Sequence, residues 1–578
     1  MTAPPPKNDF AKYVPLLLML LALALRLYGI TWALPDKTRF YSYHVDETMV
    51  VAHALDLDPV RGRVDPNFYN YGSLALLVNG AVIHAGRAAG LVDFNPVTVR
   101  PGGLALPSAT ELLVARLVTA LFGAGTVGFL YGTGRLLYNW NAGIVAAGLY
   151  AVAPLAVQHA HFATVDIAAV FFVAGSLFFA ARFVSGEGKG IAALLWCGLF
   201  AGFAAATKYN AGLVALSGVA AWALIAPRKP LFLAGLCGAT ALGLLLGCPG
   251  IVLNPAAVVR DVSYEARHVA TGHGEVFVDT LPAFVFHIVS SLRWGLTLPL
   301  LLLCVAAIGV ALTRRRRGDL LLAAFAVPYY LLIGFAAVKF ARYTLPLFPP
   351  LFLLAGAVWD GWRNVRVQTA FRTFAAFAAV SALGFAVALD QTMTRTDPRD
   401  AAAAYIWSLP GVRSVGFAAG PWFYSPPLDP YLAHPSPQVA QEVALQNVER
   451  TLIPAVRFGA DNTPARTPEG ALAPMEWTFD SNAPVPDAVT FGEIHYVDWL
   501  RTRNTTARAY LIVVEPHYRV RKNFTNPVTL FGLPVVRVFA EPGEPWHGLP
   551  IQALPHDMLY TNPSVSVWSR AAPTPRSE

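Results

Sequence analysis

The chain has 578 residues, of which 55% are hydrophobic and only 13% charged, and its mean hydropathy is +0.48. A soluble domain carries about 25% charged residues, so this composition describes an integral membrane protein. Disordered, disulfide-framed secreted and nucleic-acid-binding classes are excluded, although the net charge is +8. The basic excess sits in short loops between apolar runs, where Lys and Arg set membrane orientation.

A membrane-spanning helix needs roughly 20 apolar residues. Runs of that kind predict eleven crossings, near 13–34, 109–134, 141–158, 165–184, 190–206, 209–226, 231–252, 284–312, 319–337, 341–359 and 369–389. The first run is too long for a signal-peptide core and lacks a small-x-small cleavage site, so it is expected to stay as an anchor. A further run, Leu74 to Leu91, contains Asn79, His84 and Arg87. Parity decides it. If it does not cross, then Lys7, Lys12, Arg135, Arg182, Lys189, Arg228, Lys229, Arg314 to Arg317, Arg363 and Arg366 share one side, the cytoplasm. The run 74–91 is therefore expected at the outer interface, with the N-terminus inside. The four cysteines all fall in apolar stretches and show neither metal nor disulfide spacing.

Beyond Asp390 the spans stop, which divides the chain into a membrane module, 1–390, and an extracytoplasmic soluble α/β or α+β domain, 391–578. Strand-like alternation is read at Ala509 to Val514, and Asp397-Pro398-Arg399-Asp400 opens a capped helix leading into that domain.

This topology collects acidic, imidazole and cationic groups on the outer face. Tyr41-Ser42-Tyr43-His44-Val45-Asp46-Glu47 follows the first crossing. A carboxylate at a membrane surface is partly desolvated and suited to take a proton from a hydroxyl, so one of Asp46 and Glu47 is a candidate base while the other positions a substrate or backbone. Asp166 opens an outer-facing helix end, where a carboxylate also serves as a cap. His159, His161 and Asp46 are weak candidates for a divalent metal, since His-x-His is common. Lys208, Arg293, Lys339 and Arg342 lie at outer helix ends, and His268 and His273 in an outer loop. Singly each is a snorkelling side chain; converging on one cavity, they make a phosphate clamp. Arg26, inside the first crossing, must pair or snorkel.

The order of these pieces resembles the glycosyltransferase-C superfamily, in the branch holding protein O-mannosyltransferases and lipid A aminoarabinose transferases. The matching stretches are Leu25-Arg26-Leu27-Tyr28, His44-Val45-Asp46-Glu47, Phe68 to Leu74, Ala115 to Gly123, Gly134 to Tyr138, His161 to Asp166, Thr207-Lys208-Tyr209 and Lys339 to Pro346. The resemblance implies inverting transfer of one sugar from a polyprenyl-phosphate carrier to an acceptor hydroxyl (lipid, glycan or protein) on the outer face. Asp46 would be the base or orient the acceptor, with Glu47 beside it; Asp166 matches a second acidic position, and Lys208 and Arg342 match basic positions near the carrier phosphate. A Pro-Pro pair found in many relatives is replaced by Asn70-Tyr71-Gly72. The rival from another class is a lipid or sugar transporter or flippase, which predicts inverted repeats and mid-bilayer polar groups; no repeat is visible, and the ionisable groups gather at one face.

Overall fold

The computed structural model describes residues 12–36, 39, 41–91, 97–98, 105–187, 190–358, 364–410, 412, 415–417, 423–428, 487–502, 511–512, 515–536 and 554–570. Lys7, Lys189 and Arg363 lie outside the described residues.

The membrane module is a helical bundle. Among the described residues five helices have the length and apolarity to cross a bilayer: Ala109–Leu137, Asp166–Ser185, Pro230–Gly247, Arg317–Gly334 and Val365–Thr392. Val14–Leu27, Trp140–Val152, Ala192–Thr207 and Tyr209–Leu224 are shorter apolar helices at other expected crossings. Two expected crossings differ. The run at 284–312 is bent by 118° between Ala283–Leu296 and Leu298–Arg314. Thr297 there adopts a left-handed backbone, φ 75°, and Pro299 has no N–H to bond back across the break. The run at 341–359 becomes a 3-10 segment, Ala341–Leu347, and a nine-residue helix, Phe348–Gly356. Pro346, Pro349 and Pro350 interrupt its backbone bonding, and both pieces are largely buried. Leu74–Ala88 is a helix with one buried face, including Ala75, Leu76, Leu77, Asn79 and Ile83, and it packs on Glu47–Leu55.

Sequence chemistry explains several joints. Glu111 reaches back to accept from Ser108 N at 2.7 Å, which closes the start of Ala109–Leu137, and it also accepts from Arg87 Nη2 at 2.6 Å. Arg26 does not snorkel. Its guanidinium is fully buried and donates to Ala22 O at 2.9 Å and Ala151 O at 3.1 Å. A side chain at Gly123 would collide with it. Phe171, Phe172, Phe178 and Phe179 meet Phe122, Phe129, Phe200 and Phe203 in tilted and edge-to-face contacts, so the rings of this aromatic helix are used in interhelical packing. Cys197, Cys248 and Cys304 are buried and Cys237 is exposed.

One end of the bundle gathers basic loops. Arg135 pairs with Glu187 at 3.3 Å, and Arg314 pairs with Asp319, which also accepts from Tyr138 OH at 2.7 Å. Asp166 stands at the other end of a 20-residue helix, about 30 Å away at 1.5 Å per residue.

Beyond the last long helix, the helix Pro398–Ser408 forms as its signature predicts, with Asp397 accepting from Arg399 N at 2.9 Å. A four-stranded sheet follows: β1 (Val415–Phe417), β2 (Ala488–Gly492), β3 (Val520–Phe524) and β4 (Val565–Ser569), in spatial order β1-β2-β4-β3. β1 and β2 are parallel and the other pairs antiparallel, an α+β arrangement with Pro398–Ser408 packed on β4. The strand expected at 509–514 is not found where it is described: Leu511 and Ile512 are helical, and the remaining four residues lie outside the described set. A short apolar run does not distinguish strand from helix by periodicity.

Candidate active site

Adjacent carboxylates in the first loop have different surroundings. Glu47 opens the helix Glu47–Leu55 and is fully buried. Arg116 grips it with two bonds, Nε to Oε1 at 2.6 Å and Nη2 to Oε2 at 2.7 Å. Ser42 Oγ donates at 2.6 Å and Ala163 N at 2.8 Å. Burial alone would push the Glu47 carboxyl up, but the Arg116 charge and these hydrogen bonds hold it below the usual carboxylate range. Arg116 spends its remaining donors on Ile30 O and Trp32 O from Nη1 and on Ser42 Oγ from Nη2. The nest is closed, and it ties the first loop to the turn before Asp166.

Asp46 lies one residue back and faces another way. Its side chain is 28% exposed, and Oδ2 is 3.2 Å from Arg342 Nη2. Arg342 comes from the 3-10 segment Ala341–Leu347 and stacks 4.1 Å over the Phe340 ring. Its field also acts on Asp166. Asp166 Oδ1 is 2.6 Å from Lys208 Nζ, and Lys208 lies 4.7 Å over the Tyr343 ring. Asp166 is the first helical residue and makes no capping bond; its carboxylate is turned to Lys208 instead. Two carboxylates and two cations from four distant segments thus meet at one end of the bundle.

The replacement of the Pro-Pro pair has a structural counterpart. Tyr209 OH donates to Tyr69 O at 3.0 Å and Tyr71 O at 3.1 Å, and the backbone at Gly72 runs so close to Ala206 that any Cβ would strike its carbonyl. This close crossing holds Tyr71 within the fields of Asp46 and Arg342.

The other sequence candidates are placed elsewhere. Lys339 Nζ donates to Thr280 Oγ1 at 2.7 Å and Leu281 O at 2.9 Å, so it fastens the loop that precedes Pro282. Arg293 lies over the Trp294 ring at 5.2 Å, and Trp294 packs on Phe385. His268 meets His273 at 3.2 Å and reaches the Asp46–Arg342 pair only through His273, which feels both charges. The metal candidates do not assemble. His161 turns Nδ1 to Val157 O at 2.9 Å and Nε2 to Tyr28 O at 3.0 Å, which leaves no nitrogen for a metal. Among the described residues no three His, Cys, Asp or Glu side chains are grouped to hold an ion. His159 is fully buried, and burial pushes its imidazole down to about 4.

Sequence reasoning missed Asp557. It is fully buried, accepts from Ala341 N at 3.0 Å and Arg342 N at 2.9 Å, and faces His159 Nε2 at 3.9 Å and Arg342 Nη1 at 3.8 Å. Arg116 was also missed as the partner of Glu47, though an Arg within an apolar run carries the same signal as Arg26.

Residues 103–252 match a family model described as dolichyl-phosphate-mannose-protein mannosyltransferase. No curated protein sequence matches the chain. Among solved structures, the chain is similar to ArnT from Cupriavidus metallidurans bound to undecaprenyl phosphate, at 16% identity and TM-score 0.45, covering 75% of this chain and 88% of that one. It is similar to the oligosaccharyltransferase AglB from Archaeoglobus fulgidus in complex with an inhibitory peptide and a dolichol-phosphate, at 12% identity and TM-score 0.47, covering 91% and 76%. A likeness at 17% identity and TM-score 0.31 to the S. cerevisiae protein O-mannosyltransferase Pmt1-Pmt2 complex bound to the sugar donor covers 50% and 37%. The family match spans Arg116, His159, Asp166 and Lys208, and over that segment the chain is similar to the dolichyl-phosphate-mannose-protein mannosyltransferases.

Proposed function

We propose that the protein is a membrane glycosyltransferase of the glycosyltransferase-C type that moves one sugar from a polyprenyl-phosphate carrier to an acceptor hydroxyl with inversion. The observation that carries this reading is the Asp46–Arg342 pair at 3.2 Å, partly open to solvent beside the Asp166–Lys208 pair. The family match over 103–252 supports it.

Asp46 is the base. The acceptor oxygen attacks the anomeric carbon, its proton passes to the Asp46 carboxylate, the bond from that carbon to the carrier phosphate breaks, and the electron pair leaves on the phosphate oxygen. Positive charge placed where the departing phosphate gathers electrons lowers the barrier. Arg342 carries guanidinium donors beyond its contacts with Asp46 and Asp557, and Lys208 has two ammonium donors beyond the one given to Asp166. The catalytic end faces away from the cytoplasm, because the basic loops collect at the opposite end. Residues 1–390 form the catalytic module and 391–578 an extracytoplasmic domain.

The test is direct. Purified protein in lipid nanodiscs is incubated with a panel of radiolabelled polyprenyl-phosphate sugars and candidate acceptors, next to Asp46→Asn. Label transfer by the wild type and none by the variant is expected; equal turnover by both removes Asp46 as the base. Translocation of intact donor across sealed vesicles without transfer would favour the transporter.

A further inference from the structure

Resting on the glycosyltransferase reading above, we propose that the active site is completed by the C-terminal segment, with Asp557 as a positioning residue that sets Arg342 for the carrier phosphate. The 3-10 turn His556–Thr561 belongs to the chain beyond the last long helix, yet five of its six residues are buried, Asp557 through Thr561. It is pinned to the bundle by Gln158, whose Nε2 donates to Met558 O at 2.9 Å. On the other side, Asn526 Nδ2 donates to Thr392 O at 2.8 Å and Asn562 Nδ2 to Asn526 O at 3.3 Å.

What this turn delivers is one carboxylate at the root of the cationic arm. Asp557 caps two successive N–H groups, those of Ala341 and Arg342, and these occur at the start of a segment broken by Pro346. They open the 3-10 segment, where no preceding turn offers them a carbonyl, so the carboxylate supplies the acceptor that fixes the arginine's backbone. Asp557 also pairs with the guanidinium itself, 3.8 Å from Nη1. The far side of Asp557 meets His159, whose two ring nitrogens have no hydrogen-bond partner among the described residues although the ring is fully buried. A buried carboxylate held by two backbone donors and one guanidinium, beside an uncharged ring, fixes direction rather than moving protons. Asp46 approaches the same guanidinium through Nη2, so the two carboxylates hold it from two sides and leave its remaining donors for a third anion.

The experiment compares wild type, Asp557→Asn and Gln158→Met, measuring undecaprenyl phosphate affinity, donor KM, kcat and the thermal unfolding midpoint. Asp557→Asn keeps shape but loses the charge and one backbone bond; weakening of undecaprenyl phosphate binding and a rise in donor KM by about tenfold are expected, with kcat changed far less. Gln158→Met frees the same turn without touching the charges and is expected to raise donor KM about threefold. It decides the matter if Asp557→Asn does not fold. Wild-type donor KM and lipid affinity in a folded Asp557→Asn, or in Gln158→Met should the first not fold, overturns the inference and leaves the glycosyltransferase reading standing. A wild type that neither binds the lipid phosphate nor transfers sugar removes both.

Discussion

Asp46 and Glu47 are chain neighbours with the same chemistry, and the fold gives them opposite environments. Glu47 is sealed by Arg116, Ser42 and the Ala163 amide, while Asp46 is left partly open, held by a guanidinium that still has donors to give. A closed ion pair contributes rigidity, because breaking it strands a charge in the interior. An open pair at a bundle end can exchange a partner for a substrate. The difference between the two carboxylates is therefore one of solvent access, and one position along a helix start is enough to decide it.

The largest effect that bears on this contrast is expected at Asp46. Asp46→Asn should lower sugar transfer by about 10²–10⁴-fold, the usual range for loss of a general base, with an unchanged unfolding midpoint. Glu47→Gln should do the reverse. It leaves Arg116 buried with a weakened partner, at a cost of about 3–5 kcal/mol, seen as loss of folded protein or a large fall in midpoint. A stable, inactive Glu47→Gln would break the contrast. Arg342→Ala comes next: donor KM should rise about 10–100-fold, exceeding any loss of stability, and an unchanged donor titration would reduce Arg342 to a lipid anchor.

The smallest effect is a pH dependence. Burial lowers His159 and His161 to about 4, below their unfolded value of about 6.5. The unfolded chain binds protons first, so their contribution to stability is present above pH ~6.5 and is lost as pH falls through about 4. His159→Gln should flatten this acid limb of the midpoint–pH curve. An identical limb in that variant would show that His159 is not buried in the neutral form.

Much of the site was legible because charge is rare in this chain. In a stretch that must enter lipid, each Asp, Lys or Arg is costly, so Asp46, Asp166, Lys208 and Arg342 stood out, and the fold brings these four together. The same logic also selected Lys339, Arg293 and His268, which the fold places against a loop hydroxyl and carbonyl, an indole and a second imidazole. Position at a helix end was visible; which cavity a side chain enters was not. The bend at Thr297 was hidden because hydropathy counts apolar residues and ignores backbone direction. Asp557 was hidden too, since in a polar, proline-rich stretch one more aspartate carries no signal.

The sequence by itself determined that this is a multi-helix membrane protein with a mixed α and β region after the last long apolar helix and with acidic and basic groups collected at helix ends, because the cost of burying charge in lipid is local and readable residue by residue. Only the tertiary structure decided which carboxylate stays open, which cation faces it, and that a turn close to the C-terminal end reaches the arginine. Those outcomes depend on contacts between segments hundreds of residues apart, as in Asp557 with Arg342, and no local pattern encodes them.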